Sequence, residues 1–170
     1  MNTVSISPKL HLLNDKWDLY YHLPQNNNWD LSSYSIINKS INTAEDIKML
    51  SESINSNVIK HCMLFLMRDG ITPMWEDIKN RDGGFFSYKI SNRYVYDIWK
   101  QLMLLTCGES LCVNPSHNKH INGITISPKK QFCIVKIWLN CIDIQDPNII
   151  VPINNLLKLG CLFKKQSPEY

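Results

Sequence analysis

Two tryptophans set in polar stretches could do chemistry here: Trp29, after Pro24-Gln25-Asn26-Asn27-Asn28, and Trp75, inside the run from Arg68 to Gly84. An indole that a fold leaves uncovered is a platform on which a flat ring stacks, a purine above all. Glu76 follows Trp75 directly. An ionised carboxylate has two acceptor oxygens and no donor, so it complements two adjacent N–H groups. The Watson–Crick edge of guanine offers N1–H beside the N2 amine, whereas adenine presents an acceptor at N1, so such a carboxylate selects guanine. A guanine methylated at N7 is cationic, and its stacking between two indoles gains a cation–π contribution. Either Trp taken alone reads more readily as a packing residue, given the area an indole buries. The pair with its adjoining Glu shifts that balance toward a base-binding site.

The elements that must position these residues can be read from periodicity and punctuation. Strands are expected at residues 17–23, 34–41, 61–67, 85–90, 120–127, 132–140 and 161–164, from short apolar or alternating runs bounded by turn residues. Thr43-Ala44-Glu45-Asp46 resembles a capping box, opening a helix whose Ala44, Ile47, Leu50 and Ile54 share one face. A second helix, capped by Ser91 or Asn92, carries Val95, Ile98, Trp99, Leu102 and Leu105 and stops at Gly108. A third is expected at 149–159, with Pro152 in its first turn and Gly160 ending it. Strand pairs interrupted by three helices, without regular βαβ alternation, indicate an α+β fold with helices on one side of an antiparallel sheet. Trp17 and Trp99, on apolar elements, are core candidates. Residues 1–15 are expected to form a flexible arm and 16–170 one domain.

The chain has 170 residues and a formal net charge of +3, too little for nonspecific nucleic-acid binding. No apolar stretch is long enough to span a membrane, and MNTVSISPKL has no basic flank and apolar block of a signal peptide. Fifteen Lys stand against three Arg, with one Ala and heavy use of Ile and Asn, which suits an AT-rich genome, as in a protist or a large DNA virus. Six cysteines without an export signal are expected to be reduced thiols of an intracellular protein, with Cys62, Cys133 and Cys141 as small core residues. Cys107, Cys112, His117 and His120 match no standard zinc spacing, so no metal is expected. No clustered carboxylates with metal spacing, Gly-rich phosphate loop or nucleophile–base pair suggests an enzyme.

The run Arg68-Asp69-Gly70-Ile71-Thr72-Pro73-Met74-Trp75-Glu76-Asp77, followed by Asn80 and Gly83-Gly84, resembles the signature loop of the cap-binding translation initiation factor 4E family. The likeness extends over most of the chain, through His11, Trp17, Trp29, Thr43 to Asp46, Trp99, Gly108-Glu109-Ser110 and Ile137-Trp138. It implies a curved antiparallel sheet of about six to eight strands, three helices on its convex face, and the ligand in the concave mouth. The implied ligand is the 7-methylguanosine cap of mRNA, as in 7-methyl-GTP, with no cofactor. The base would lie between Trp29 and Trp75, Glu76 would read guanine N1 and N2, and Trp138 would touch the N7-methyl group. The family's phosphate-binding arginine corresponds to Lys129, and its lysine to Ile134. Strand alternation puts Lys136 on the face of Trp138, so Lys136 is the expected substitute, with Lys130 contributing from the loop. Phe85 stands where the family often has a basic residue. Because the chain stops at Tyr170, the family's C-terminal loop over the phosphates is expected to be missing or very short.

On the opposite face the resemblance implies a docking site for a helix of a scaffold or repressor protein, at Ala44, Lys48, Lys100, Leu104 and Gly108. Helix-in-groove docking depends on apolar anchors. Lys48 and Lys100 replace the family's Trp and Leu, which disfavours an ordinary partner and suits an acidic one. Two solvated lysines without a partner role are the plainer reading of the same residues. The expectation is therefore a cytoplasmic, monomeric, noncatalytic cap-binding factor acting in translation initiation. The alternative is a cap-binding decoy or repressor that recruits no scaffold.

Overall fold

The computed structural model describes residues 9–167, and the first part of the expected arm, residues 1–8, lies outside them. Strands β1 (Leu12–His22) and β2 (Ser35–Thr43) lead into helices α1 (Ala44–Ser53) and α2 (Ser56–His61), then β3 (Met63–Arg68) and β4 (Gly84–Ser91). Helix α3 (Val95–Cys107), β5 (Ile121–Pro128), β6 (Phe132–Leu139) and β7 (Leu162–Lys165) follow. The seven strands form one curved antiparallel sheet in the order β2-β1-β3-β5-β6-β4-β7.

Successive strand residues alternate between two faces, and the two faces do different work. One presents Trp17, Leu19, Leu64, Leu66, Phe86, Tyr88, Ile124, Ile126, Val135 and Ile137 to Ile47 and Leu50 of α1 and to Ile98, Trp99 and Leu102 of α3. That layer is the main core, and each large side chain buried in it contributes on the order of 2–3 kcal/mol. The other face carries a smaller cluster of Phe65, Met67, Ile71, Phe85 and Trp138 and forms the floor of a cavity.

Thr43 caps α1 as its sequence indicates, its Oγ1 accepting from the Asp46 N–H at 3.1 Å. Helix α3 begins later than expected: Tyr94 is its N-cap residue, after a turn in which the Tyr94 N–H bonds to the Ser91 carbonyl. The expected helix at 149–159 does not form. Pro147 opens a 3-10 turn ending at Ile149, and the N–H of Val151 donates to Leu111 while that of Val113 donates to Ile149. Pro152 biases Val151 toward extended backbone, and Asn155 is left-handed at φ 65°, so no helix propagates through the segment. The third helix is instead α2, opened by Asn55, whose side chain accepts from the Asn57 N–H.

Strand β1 begins at Leu12, taking in the last four residues of the expected arm, because Leu12 pairs with Thr43 on β2. Of the three expected core thiols, Cys133 is buried, whereas Cys62 and Cys141 are only partly so. Among the described residues no helix is long and apolar enough to cross a membrane.

Candidate functional site

A cavity of about 950 Å³ opens on the sheet face opposite the helices. Trp29 and Trp75 both line it, from the β1–β2 loop and the β3–β4 loop, with relative exposures of 49% and 40%. Large aromatic side chains left this open sit on loops that something else holds still.

The β3–β4 loop is pinned by its own polar side chains. Asp77 accepts from the N–H and hydroxyl of Thr72, both at 2.7 Å, and from the Lys79 N–H at 2.8 Å. The buried Asn80 amide donates to the Thr72 and Met74 carbonyls, bracketing the approach to Trp75. Asn122 of β5 bonds in turn to Asn80 and to the Lys79 carbonyl. At the root of the loop, Arg68 lies over the Trp17 ring, pairs with Asp15 and Glu109, and donates to the Ile121 and Asn118 carbonyls. Gly83 lets the returning chain pass against β6, since a Cβ there would lie 1.9 Å from the Leu139 carbonyl oxygen. The length and polarity of this segment therefore encode a rigid platform.

Glu76 is exposed at the cavity wall, and none of the described residues donates to its carboxylate. It neighbours Tyr34, whose phenol is pushed up to about 12, chiefly by burial and then by the Glu76 charge. Trp138 is almost wholly buried in the cavity floor, its Nε1–H donating to Thr125 Oγ1 at 3.2 Å. Trp138 lies opposite Phe85 on one side and Gly123 on the other. A Cβ on Gly123 would come within 2.5 Å of the Leu66 carbonyl oxygen, so β5 and β3 approach closely beside the indole.

Lys136 faces the cavity with Ile134 and Trp138, as alternation predicts, and Lys129 joins them at the rim. Lys130 does not line the cavity. The Lys129 N–H closes the β5–β6 hairpin onto the Phe132 carbonyl, leaving Lys130 exposed at its tip. Lys164 and Lys165 complete the basic side, and sequence reasoning missed them. Lys164 reaches the site because β7 pairs it with Phe85, a register that no local motif announces. Phe65 comes to the cavity through its place on β3 and Tyr34 through the chain path just before β2, and no local motif announces either. Gln166 also lines the cavity, and its amide N and O are buried without a hydrogen-bond partner among the described residues.

On the helical side, Ala44 and Lys48 are exposed on α1, as are Leu104 on α3 and Gly108 at its C-cap. Lys100 is half-buried, its Nζ 5.1 Å from the centroid of the Tyr96 ring. Burial pushes the Cys112 thiol up to about 11 and raises that of Cys107 as well. Among the described residues no group of three or more His, Cys, Asp or Glu gathers to hold a metal.

Residues 12–168 match the family described as eukaryotic initiation factor 4E. Over 62 residues the chain is 45% identical to the eukaryotic translation initiation factor 4E homolog of Acanthamoeba polyphaga mimivirus, covering 36% of this chain and 23% of that protein. It is 30% identical over 142 residues to eukaryotic translation initiation factor 4E of Candida albicans, covering 78% of this chain and 66% of the other. The matched stretches thus span less than two thirds of either relative's length. Among solved structures, schistosome eIF4E complexed with m7GpppG and 4E-BP is similar over 80% of this chain and 75% of that one, with a TM-score of 0.70 and 22% identity, a likeness of fold. The chain belongs to the eukaryotic initiation factor 4E family.

Proposed function

We propose that this protein binds the 7-methylguanosine cap of mRNA and acts in translation initiation, as a noncatalytic cytoplasmic factor. The observation that carries the reading is the cavity itself: two half-exposed indoles and a carboxylate at its wall that is unpaired among the described residues, with a third indole in its floor. In this reading the cationic base stacks between Trp29 and Trp75, and Glu76 accepts from N1–H and the N2 amine. Trp138 meets the N7-methyl group. Lys129, Lys136 and Lys164 receive the phosphates, with Gln166 also lining the cavity. The schistosome neighbour's complex with m7GpppG supports the ligand class.

Retention on a 7-methyl-GTP resin tests the reading. The protein is expected to be held, to elute with 7-methyl-GTP and not with GTP, and to lose retention as Trp29→Ala or Trp75→Ala. Equal elution by the two nucleotides would overturn it.

The convex face supports a second reading, in which the protein is a cap-binding decoy or repressor. Exposed Lys48 and half-buried Lys100 replace apolar anchors, while Ala44, Leu104 and Gly108 are exposed and small or apolar. A scaffold-factor helix that binds with micromolar or better affinity favours the initiation role. Cap binding without scaffold binding favours the decoy.

A further inference from the structure

The ammonium of Lys136 is not free in the cavity. Its Nζ lies 5.2 Å from the Trp75 ring centroid and 4.3 Å from that of Phe85. Lys136 and Trp75 line the same cavity, and the ammonium approaches the indole there. Among the described residues no carboxylate pairs with it. Its surroundings are aromatic rings and the hydroxyl-bearing Ser87 and Thr125 directly across the neighbouring strands. Burial, together with the charges of Lys164 and Lys129, holds this ammonium below the usual lysine range. It is a cation seated on π-faces where a counter-ion would ordinarily be.

A cationic base stacking on Trp75 draws on the same electron density, and two positive charges at one seat repel. We propose that Lys136 is an internal competitor for the base site, filling the cation seat of Trp75 in the free protein and leaving it only when the ligand's phosphates draw it away. The proposal rests on the cap-binding reading and adds a coupling to it. The four-carbon stem lets the ammonium swing from ring to phosphate without moving β6. A methylated nucleoside without phosphates meets the ammonium and offers it nowhere to go. A triphosphate supplies the anion that relocates it, so phosphate recognition and base stacking become one event. Lys129 and Lys164 lack this double role, since neither lies over an indole.

The test compares 7-methylguanosine with 7-methyl-GTP on wild type, Lys136→Thr, Lys136→Gln and Lys136→Arg. Thr suits a strand position between Ser87 and Thr125, and Gln keeps much of the stem while dropping the charge. Both are expected to bind the nucleoside about fivefold more tightly than wild type, the size of one cation–π contact, and the triphosphate about tenfold more weakly. Lys136→Arg, which keeps a cation at the ring, is expected to keep the wild-type order. A loss of affinity for both ligands would make Lys136 merely structural, and an unchanged nucleoside affinity would make it a plain phosphate contact; either overturns the proposal. Wild type that binds neither ligand overturns the cap-binding reading, and the competitor role with it.

Discussion

The imidazole of His22 lies flat against the indole of Trp29, with ring centroids 4.3 Å apart and 8° between the planes. His22 is wholly buried on β1, and its Nε2 donates to the carbonyl of Asn28, the residue before Trp29, at 2.8 Å. One side chain thus holds both the loop backbone and the ring. Trp29 lines the cavity and His22 does not, so the support comes from outside the cavity lining. Replacing His22 with Leu should weaken 7-methyl-GTP binding by about 1 kcal/mol, because the indole loses its stacking support and must be ordered on binding. His22→Phe, which restores a flat ring, should recover part of that loss. Calorimetric titration giving one affinity for all three proteins would remove His22 from this role.

Glu76 has no competing donor among the described residues, so its carboxylate is available to a ligand. Glu76→Gln turns one acceptor into a donor aimed at guanine N–H groups. The expected cost is about 2–3 kcal/mol in 7-methyl-GTP affinity, the range for hydrogen bonds to a charged group. Unchanged affinity would sink the assignment.

Lys129 and Lys164 line the cavity, and Lys130 does not. Lys129→Ala and Lys164→Ala should each lower triphosphate affinity by about 1 kcal/mol, as befits exposed charges, and leave 7-methylguanosine untouched. Lys130→Ala should change neither. Competition assays with both ligands decide it, and equal losses for nucleoside and triphosphate would place the two lysines outside the phosphate site.

The depressed Lys136 pKa has a signed consequence for stability. Burial is the main cause, followed by the charges of Lys164 and Lys129. The folded protein therefore releases this proton at lower pH than the unfolded chain does. Between those two values the unfolded state binds more protons, so stability rises with pH across that window. The melting temperature of wild type should climb relative to that of Lys136→Thr as pH approaches the ordinary lysine range. Parallel curves for the two proteins would contradict the shift.

The strands were legible because alternation and flanking turn residues marked them, and α1 because Thr43 offered a cap that the backbone used. The segment at 149–159 misled because its aliphatic residues suit a helix, while Pro152 and pairing to the Leu111–Val113 stretch turn it into extended chain. Helix α2, with six residues, is too short to show a period. Trp29, Trp75 and Glu76 stood out through residue type in polar loops. Tyr34, Lys164 and Gln166 did not, because strand register and chain path bring them to the cavity. Lys136 was foreseen by face, but its seat on Trp75 and Phe85 depends on neighbours that only the folded sheet supplies.

Tryptophan fluorescence during titration with 7-methyl-GTP, with GTP as control, tests the central claim most directly. Trp29 and Trp75 are the two exposed indoles at the cavity, so a base stacked on both should quench emission strongly and saturably with the methylated nucleotide, and weakly or not at all with GTP. Equal quenching by the two nucleotides, or none by either, would contradict a cap-binding site.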